Sequence, residues 1–187
     1  MLTYKSNAGS VVLRITEKLK ATQVDMDKLV REVANNFYDE NLRRIHNTGK
    51  DVNIRLIGAG KYSTKSTYIN PEQSPKKFST KGKGGNTKFK NGKPHKSRYF
   101  EEGYKEFRQT IGAETSHVNL QLTGKLKTDF VIQNVSGKYL IGFESQYGKD
   151  ISEGLEDKYN QKIWGVSKDG EQQANDITIR FIKDHLK

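Results

Sequence analysis

The sequence has no cysteine, only three prolines and two methionines, and a single tryptophan. Without thiols there can be no disulfides, thiolate metal sites or cysteine nucleophiles. No apolar run approaches the roughly 20 residues that a membrane-spanning helix needs. Met1 to Ser10 lacks the apolar middle of a secretory signal, so a soluble, non-secreted protein is expected. Hydrophobic residues are also sparse, at 33%, against 29% charged, which implies large solvated segments around a modest core rich in aromatics. At 187 residues the chain has room for one ordinary domain and little for a second core.

Acidic residues are missing from one place in particular. Between Lys61 and Arg98 the basic residues are Lys61, Lys65, Lys76, Lys77, Lys81, Lys83, Lys88, Lys90, Lys93, Lys96 and Arg98, eleven in all against Glu72 alone, a net charge of +10. The rest of the chain carries 22 basic and 21 acidic residues and is nearly neutral. The same stretch holds Pro71, Pro75 and Pro94 and the Gly82, Gly84, Gly85 cluster, with almost no aliphatic residues. Gly58 to Ser97 therefore reads as a long basic arm, extended or disordered alone and ordered against a partner, without a core of its own.

Periodicity places the remaining elements. Ser10 can cap a short helix carrying Val11, Val12, Ile15 and Leu19, with a strand as the alternative. From Asp25 to about Asn47 a clearer helix carries Met26, Leu29, Val30, Val33, Phe37, Leu42 and Ile45 as an apolar stripe interrupted by Asn41, and stops at Gly49. Tyr99, Phe100, Gly103, Tyr104, Phe107 and Ile111 predict a second helix ending at Gly112. His117 to Leu122 alternates as a strand does, and Phe130–Ile132 and Tyr139–Phe143 flank a hairpin turn at Asn134 to Lys138 that contains Gly137. Ile151 to Tyr159 predicts a short helix. A final helix, capped by Ser167, buries Ala174, Ile177, Thr178, Phe181, Ile182 and His185. The expected fold is α+β: long amphipathic helices on a small antiparallel sheet, in a single domain over 1–187 with the basic arm inserted at about 58–97.

No constellation argues for catalysis, a cofactor or a metal. Gly58-Ala-Gly-Lys-Tyr-Ser63 fails as a phosphate loop because Arg55 and Tyr62 stand where glycine and a hydroxyl are required, which leaves a hinge into the arm. His46, His95, His117 and His185 fall in four different elements without zinc-ligand spacing. Ser145 and Ser152 have no elbow motif or nearby base. Glu156-Asp157-Lys158, with Asp150 before it, imitates a nuclease triplet but lies on an expected surface helix, where charge pairs are ordinary. The arm interleaves Tyr62, Tyr68, Phe78, Phe89 and Tyr99 with lysine, so phosphate attraction combined with base stacking is a candidate chemistry. Rich in lysine and poor in arginine, it would bind without sequence preference and with strong salt dependence.

The order of features resembles the bacteriophage virion morphogenesis family of tail-completion and neck proteins. The resemblance is carried by the N-terminal amphipathic helix, the arm opening Gly60-Lys-Tyr-Ser-Thr-Lys65, Leu120-Gln-Leu-Thr-Gly-Lys-Leu126, Tyr139-Leu-Ile-Gly-Phe143 and the turn Trp164-Gly-Val-Ser167 before the last helix. Lys158 to Lys162 stand where the family usually has Pro and Arg. The resemblance implies a non-enzymatic structural subunit, made in the host cytoplasm and located in the virion at the head–tail junction or tail top. It further implies a homo-oligomeric ring that adjoins other neck, portal or tail proteins and passes the genome through its lumen, with no cofactor and no membrane. The eleven basic residues between Lys61 and Arg98 would then face genomic DNA or a partner. The rival reading is a non-specific nucleic-acid-binding accessory protein, and a nuclease comes third.

Overall fold

A computed structural model describes residues 2–6, 9–13, 26–78, 84–88 and 94–185, with the backbone alone at 2–6, 9–13, 73, 84–88, 94–96 and 185. The fold is α+β. Strands β1 (Leu2–Ser6) and β2 (Gly9–Leu13) are followed by helix α1 (Met26–Leu42), which runs into a wide π-type turn over Arg43–Asn47. Then come β3 (Thr67–Ile69), β4 (Gly84–Lys88), β5 (Pro94–Phe100), α2 (Gly103–Thr110) and the single turn α3 (Lys125–Asp129). The chain closes with β6 (Phe130–Val135), β7 (Lys138–Phe143), α4 (Gln146–Tyr159) and α5 (Lys168–His185).

The expected hairpin is β6–β7, and its turn is shorter than Asn134 to Lys138. Ser136 and Gly137 sit at φ 53° and 76°, the two left-handed residues of a tight hairpin turn, and the Gly137 amide donates to Asn134 Oδ1 at 3.1 Å. Pairing of Phe130 with Phe143 and of Ile132 with Ile141 sets alternate residues on one inner face, where Tyr139, Ile141 and Phe143 are buried. The sheet is larger than a hairpin and not wholly antiparallel. Its order is β2-β1-β7-β6, with β1 parallel to β7 and antiparallel to β2. The strand alternative therefore holds over Gly9–Leu13 in place of a helix from Ser10, while Ile15, Leu19 and Asp25 lie outside the described residues.

Helix α1 lays Leu29, Val30, Val33 and Phe37 on this inner face, and α5 packs beside it through Ala174 and Phe181. Ser167 caps α5, accepting from the Gly170 amide at 3.0 Å. Rings fill the centre: Tyr38 stacks on Phe130 at 5.8 Å, Phe130 meets Phe143 at 5.2 Å, and Phe143 meets Trp164 edge-on at 5.3 Å.

The arm is not uniformly extended. Strands β3, β5 and β4 form a three-stranded antiparallel sheet in that order, and Ile69 and Phe78 from it join Phe100, Phe107 and Ile111 in a second apolar cluster. Rings of Phe78, Phe100 and Phe107 meet edge-on at 5.6 Å for each pair. The arm has too few apolar residues for a core, so it borrows a wall from α2.

Two sequence expectations change here for stated reasons. Tyr99 and Phe100 belong to β5, because ladder pairing with Tyr68 and Thr67 outweighs their helical spacing, and α2 starts only at Gly103. His117 to Leu122 forms no strand. Its backbone bonds go to side chains: the Asn119 amide donates to Tyr62 Oη at 3.1 Å, and the Asn119 carbonyl bonds His46 Nδ1 at 2.8 Å. Leu120 is left-handed at φ 51°, which breaks the alternation.

Candidate functional site

Of the eleven basic positions, Lys61, Lys65, Lys76 and Lys77 are exposed, and Lys81, Lys83, Lys90 and Lys93 lie outside the described residues. Lys88 is on β4 and Lys96 on β5, described by backbone alone. Ladder register sets Lys88, opposite Pro94, on the same face of the sheet as Lys96, Arg98 and Ile69. Arg98 is half-buried, with its guanidinium 5.0 Å from the Phe100 ring centre.

The aromatic residues expected among these lysines divide differently. Tyr62 is buried and Phe78 is packed in the second cluster, while Phe89 falls outside the described residues. Tyr68 and Tyr99 remain as an open cross-strand pair on the opposite face, their rings 5.0 Å apart and Tyr68 53% exposed. Packing has thus taken Tyr62 and Phe78 away from the charge.

The residues weighed for chemistry are occupied structurally. Glu156 accepts from the Ile163 and Trp164 amides at 2.9 and 3.0 Å, fixing the aromatic turn to α4, and Asp150 accepts from Gln146 Nε2 at 2.7 Å. Ser145 caps α4 through the Gly148 amide and donates to Asp129 Oδ2 at 2.9 Å. Ser152 donates to the Lys149 carbonyl. His46 is buried, and burial holds its pKa below the ordinary value although a carbonyl accepts from it. Among the described residues no cluster of His, Asp and Glu is arranged to hold a metal.

The glycine-rich turn is a clasp, not a hinge. Gly58 donates to Gln161 Oε1 at 2.8 Å, and a Cβ at Gly58 would stand 2.6 Å from the Tyr159 ring. Buried Asp51 reinforces it by accepting from the Asn53 and Arg55 amides and from Gln161 Nε2, each at 2.9 to 3.0 Å.

Two polar centres were not found from sequence. The first joins the end of α1 to the Trp164 turn. Arg44 Nε donates to Glu40 Oε1 at 2.7 Å, Nη2 to Asn41 Oδ1 at 2.8 Å, and further bonds reach the Ile163 and Gly165 carbonyls. Ser167 Oγ also donates to Glu40 Oε1, at 2.9 Å. All four polar side chains are buried. The only sequence signal was Asn41 interrupting an apolar stripe.

The second is a cleft of about 600 Å³ between α4, α3 and the segment before α3. Leu120, Leu126, Ile151 and Leu155 give it an apolar wall; Tyr62, Tyr104, Tyr159 and Arg108 line it as well, with Lys125 and Lys158. Arg108, 1% exposed, lies 4.3 Å from the Tyr62 ring centre and donates to the Glu114 and Gln121 carbonyls and to Asn119 Oδ1. Burial raises the Tyr62 phenol and pushes Tyr159 up to about 12, and the neighbouring Tyr62 and Tyr104 phenols push Tyr159 the same way.

No helix among the described residues is long and apolar enough to cross a membrane. No family model, curated protein or solved structure matches this chain.

Proposed function

We propose that the protein is a non-enzymatic structural subunit of a bacteriophage virion, assembling as a ring at the head–tail junction as a neck, tail-completion or tail-terminator component. The observation that carries this reading is the three-stranded sheet of the basic arm. Among the described residues its outer strands β3 and β4 are each paired on one side only, within a segment of net charge +10. An open strand edge offers backbone donors and acceptors to another chain, and clustered lysines discourage indiscriminate pairing while favouring a polyanion. The arm would reach adjacent subunits or the DNA lumen, so that the ring lines or seals the passage. The Trp164-Gly-Val-Ser167 turn, which carries part of the resemblance, is clamped to α1 by Arg44 and Glu40, as a rigid building block requires.

The test is the mass of the assembled protein by light scattering, together with electron micrographs of particles labelled for this chain. Ring-sized oligomers and label at the head–tail junction are expected; a monomer at all concentrations and particles without the chain would refute the reading.

One observation favours the second reading, a sequence-indifferent nucleic-acid binder: the exposed Tyr68–Tyr99 pair offers a stacking surface within the basic segment. Tight binding of single-stranded DNA by the monomer, weakened steeply by salt and by Tyr68→Ala, would select it over the ring subunit.

A further inference from the structure

The polar groups of the cleft are unevenly committed. Arg108 is buried, yet its acceptors are two carbonyls and one amide oxygen, none of them a carboxylate, and its Nη1 makes no hydrogen bond among the described residues. A buried cation is normally compensated by an anion. The hydroxyls of Tyr104 and Tyr159 make no hydrogen bond among the described residues. Lys158 Nζ sits 5.3 Å from the Tyr159 ring centre, Lys125 is exposed, and neither has a carboxylate partner among the described residues.

The one carboxylate in the lining, Asp129, is taken up by the amide and hydroxyl of Ser145. Helical spacing directs Asp150, Glu153 and Asp157 away from the α4 arc of Tyr147, Ile151, Leu155 and Lys158. The unpaired charged groups of the cleft, Arg108 Nη1, Lys125 and Lys158, are thus all cationic, and the phenols of Tyr104 and Tyr159 can donate beside them. A group that only accepts, and is negative, matches such a set.

The other wall is apolar, through Leu120, Leu126, Ile151 and Leu155. Leu120 is held left-handed at φ 51°, a strained conformation of the kind that clusters at ligand sites. A volume of about 600 Å³ is that of a site for a small organic molecule.

We propose that this cleft binds a small amphipathic carboxylate, its apolar body against Leu126, Ile151 and Leu155 and its anionic head on Arg108, Tyr104 and Tyr159, with Lys158 at the mouth. The high pKa of Tyr159 agrees, since that phenol stays a neutral donor at physiological pH. This inference is independent of the assembly role.

The test is calorimetric titration of the full chain with decanoate, decanol and acetate. Decanoate is expected to saturate one site, at least about tenfold tighter than decanol, with no binding of acetate. Tyr159→Phe and Lys158→Gln, neither of which removes a hydrogen bond among the described residues, should each weaken decanoate several-fold and leave decanol unchanged. Leu155→Asp should weaken both decanoate and decanol. Equal affinity for decanoate and decanol, absence of decanoate saturation up to millimolar concentration, or decanoate affinity unaffected by Tyr159→Phe and Lys158→Gln together would overturn the proposal.

Discussion

Replacing Arg44 by Met tests whether the buried clamp holds the Trp164 turn to α1. Methionine fills most of the aliphatic volume but supplies no donor. The substitution strips Glu40 of its cationic partner, removes the bonds that the Lys50, Ile163 and Gly165 carbonyls accept from Arg44, and leaves Asn41 Oδ1 with the Gly165 amide alone. Glu40 is 3% exposed, and its Oε2 already has no partner, so water cannot readily compensate. Removing one partner of a buried pair costs about 3–5 kcal/mol, a large fraction of the roughly 5–15 kcal/mol that separates folded from unfolded protein.

The control is Arg31→Met, which breaks the Arg31–Asp27 pair at 2.6 Å, with the side chains 60% and 47% exposed, and the bond from Arg31 Nε to Tyr139 Oη at 3.1 Å. Water screens that exposed pair, so its loss should destabilise far less than Arg44→Met. Urea unfolding of both variants measures the difference. The double variant Glu40→Gln with Arg44→Met should be more stable than Arg44→Met alone, because it no longer buries an unpaired charge. A loss below about 1 kcal/mol for Arg44→Met, or a double variant less stable than the single one, would refute the reasoning.

Other perturbations separate the second cluster, the turns and the buried histidine. Phe107→Ala should cost about 3–5 kcal/mol by emptying a ring site between Phe78 and Phe100, whereas Tyr68→Ala on the open face should stay within about 0.5 kcal/mol; chemical denaturation compares the two. Gly103→Ala should destabilise by more than the roughly 1–2 kcal/mol of left-handed strain. Its φ is 63°, and the new Cβ would lie 2.2 Å from the Lys65 carbonyl oxygen, so a thermal midpoint equal to wild type would count against the arrangement. His46 has a folded-state pKa below its unfolded value, so its contribution is complete above about pH 6.5 and is lost as pH falls toward the folded value, because the unfolded chain takes the proton first. The urea midpoint should therefore drop between neutral and mildly acidic pH, by less in His46→Gln; an equal drop in both proteins would sink that assignment.

Where local rules and packing agree, the feature is legible in the chain alone: the amphipathic α1, the β6–β7 hairpin around Gly137, the Ser167-capped α5 and the concentration of charge between Lys61 and Arg98. These depend on spacing, a cap and composition, all of which are properties of neighbours along the chain. Tertiary structure decided whatever depends on distant residues. Tyr99 and Phe100 became strand because Thr67 and Tyr68 were there to pair with them, and His117 to Leu122 lost its strand to Tyr62 and His46. The cleft was likewise invisible in sequence, because Tyr62, Arg108, Leu126 and Tyr159 are brought together only by folding, and a linear pattern does not specify which side chains will share one space.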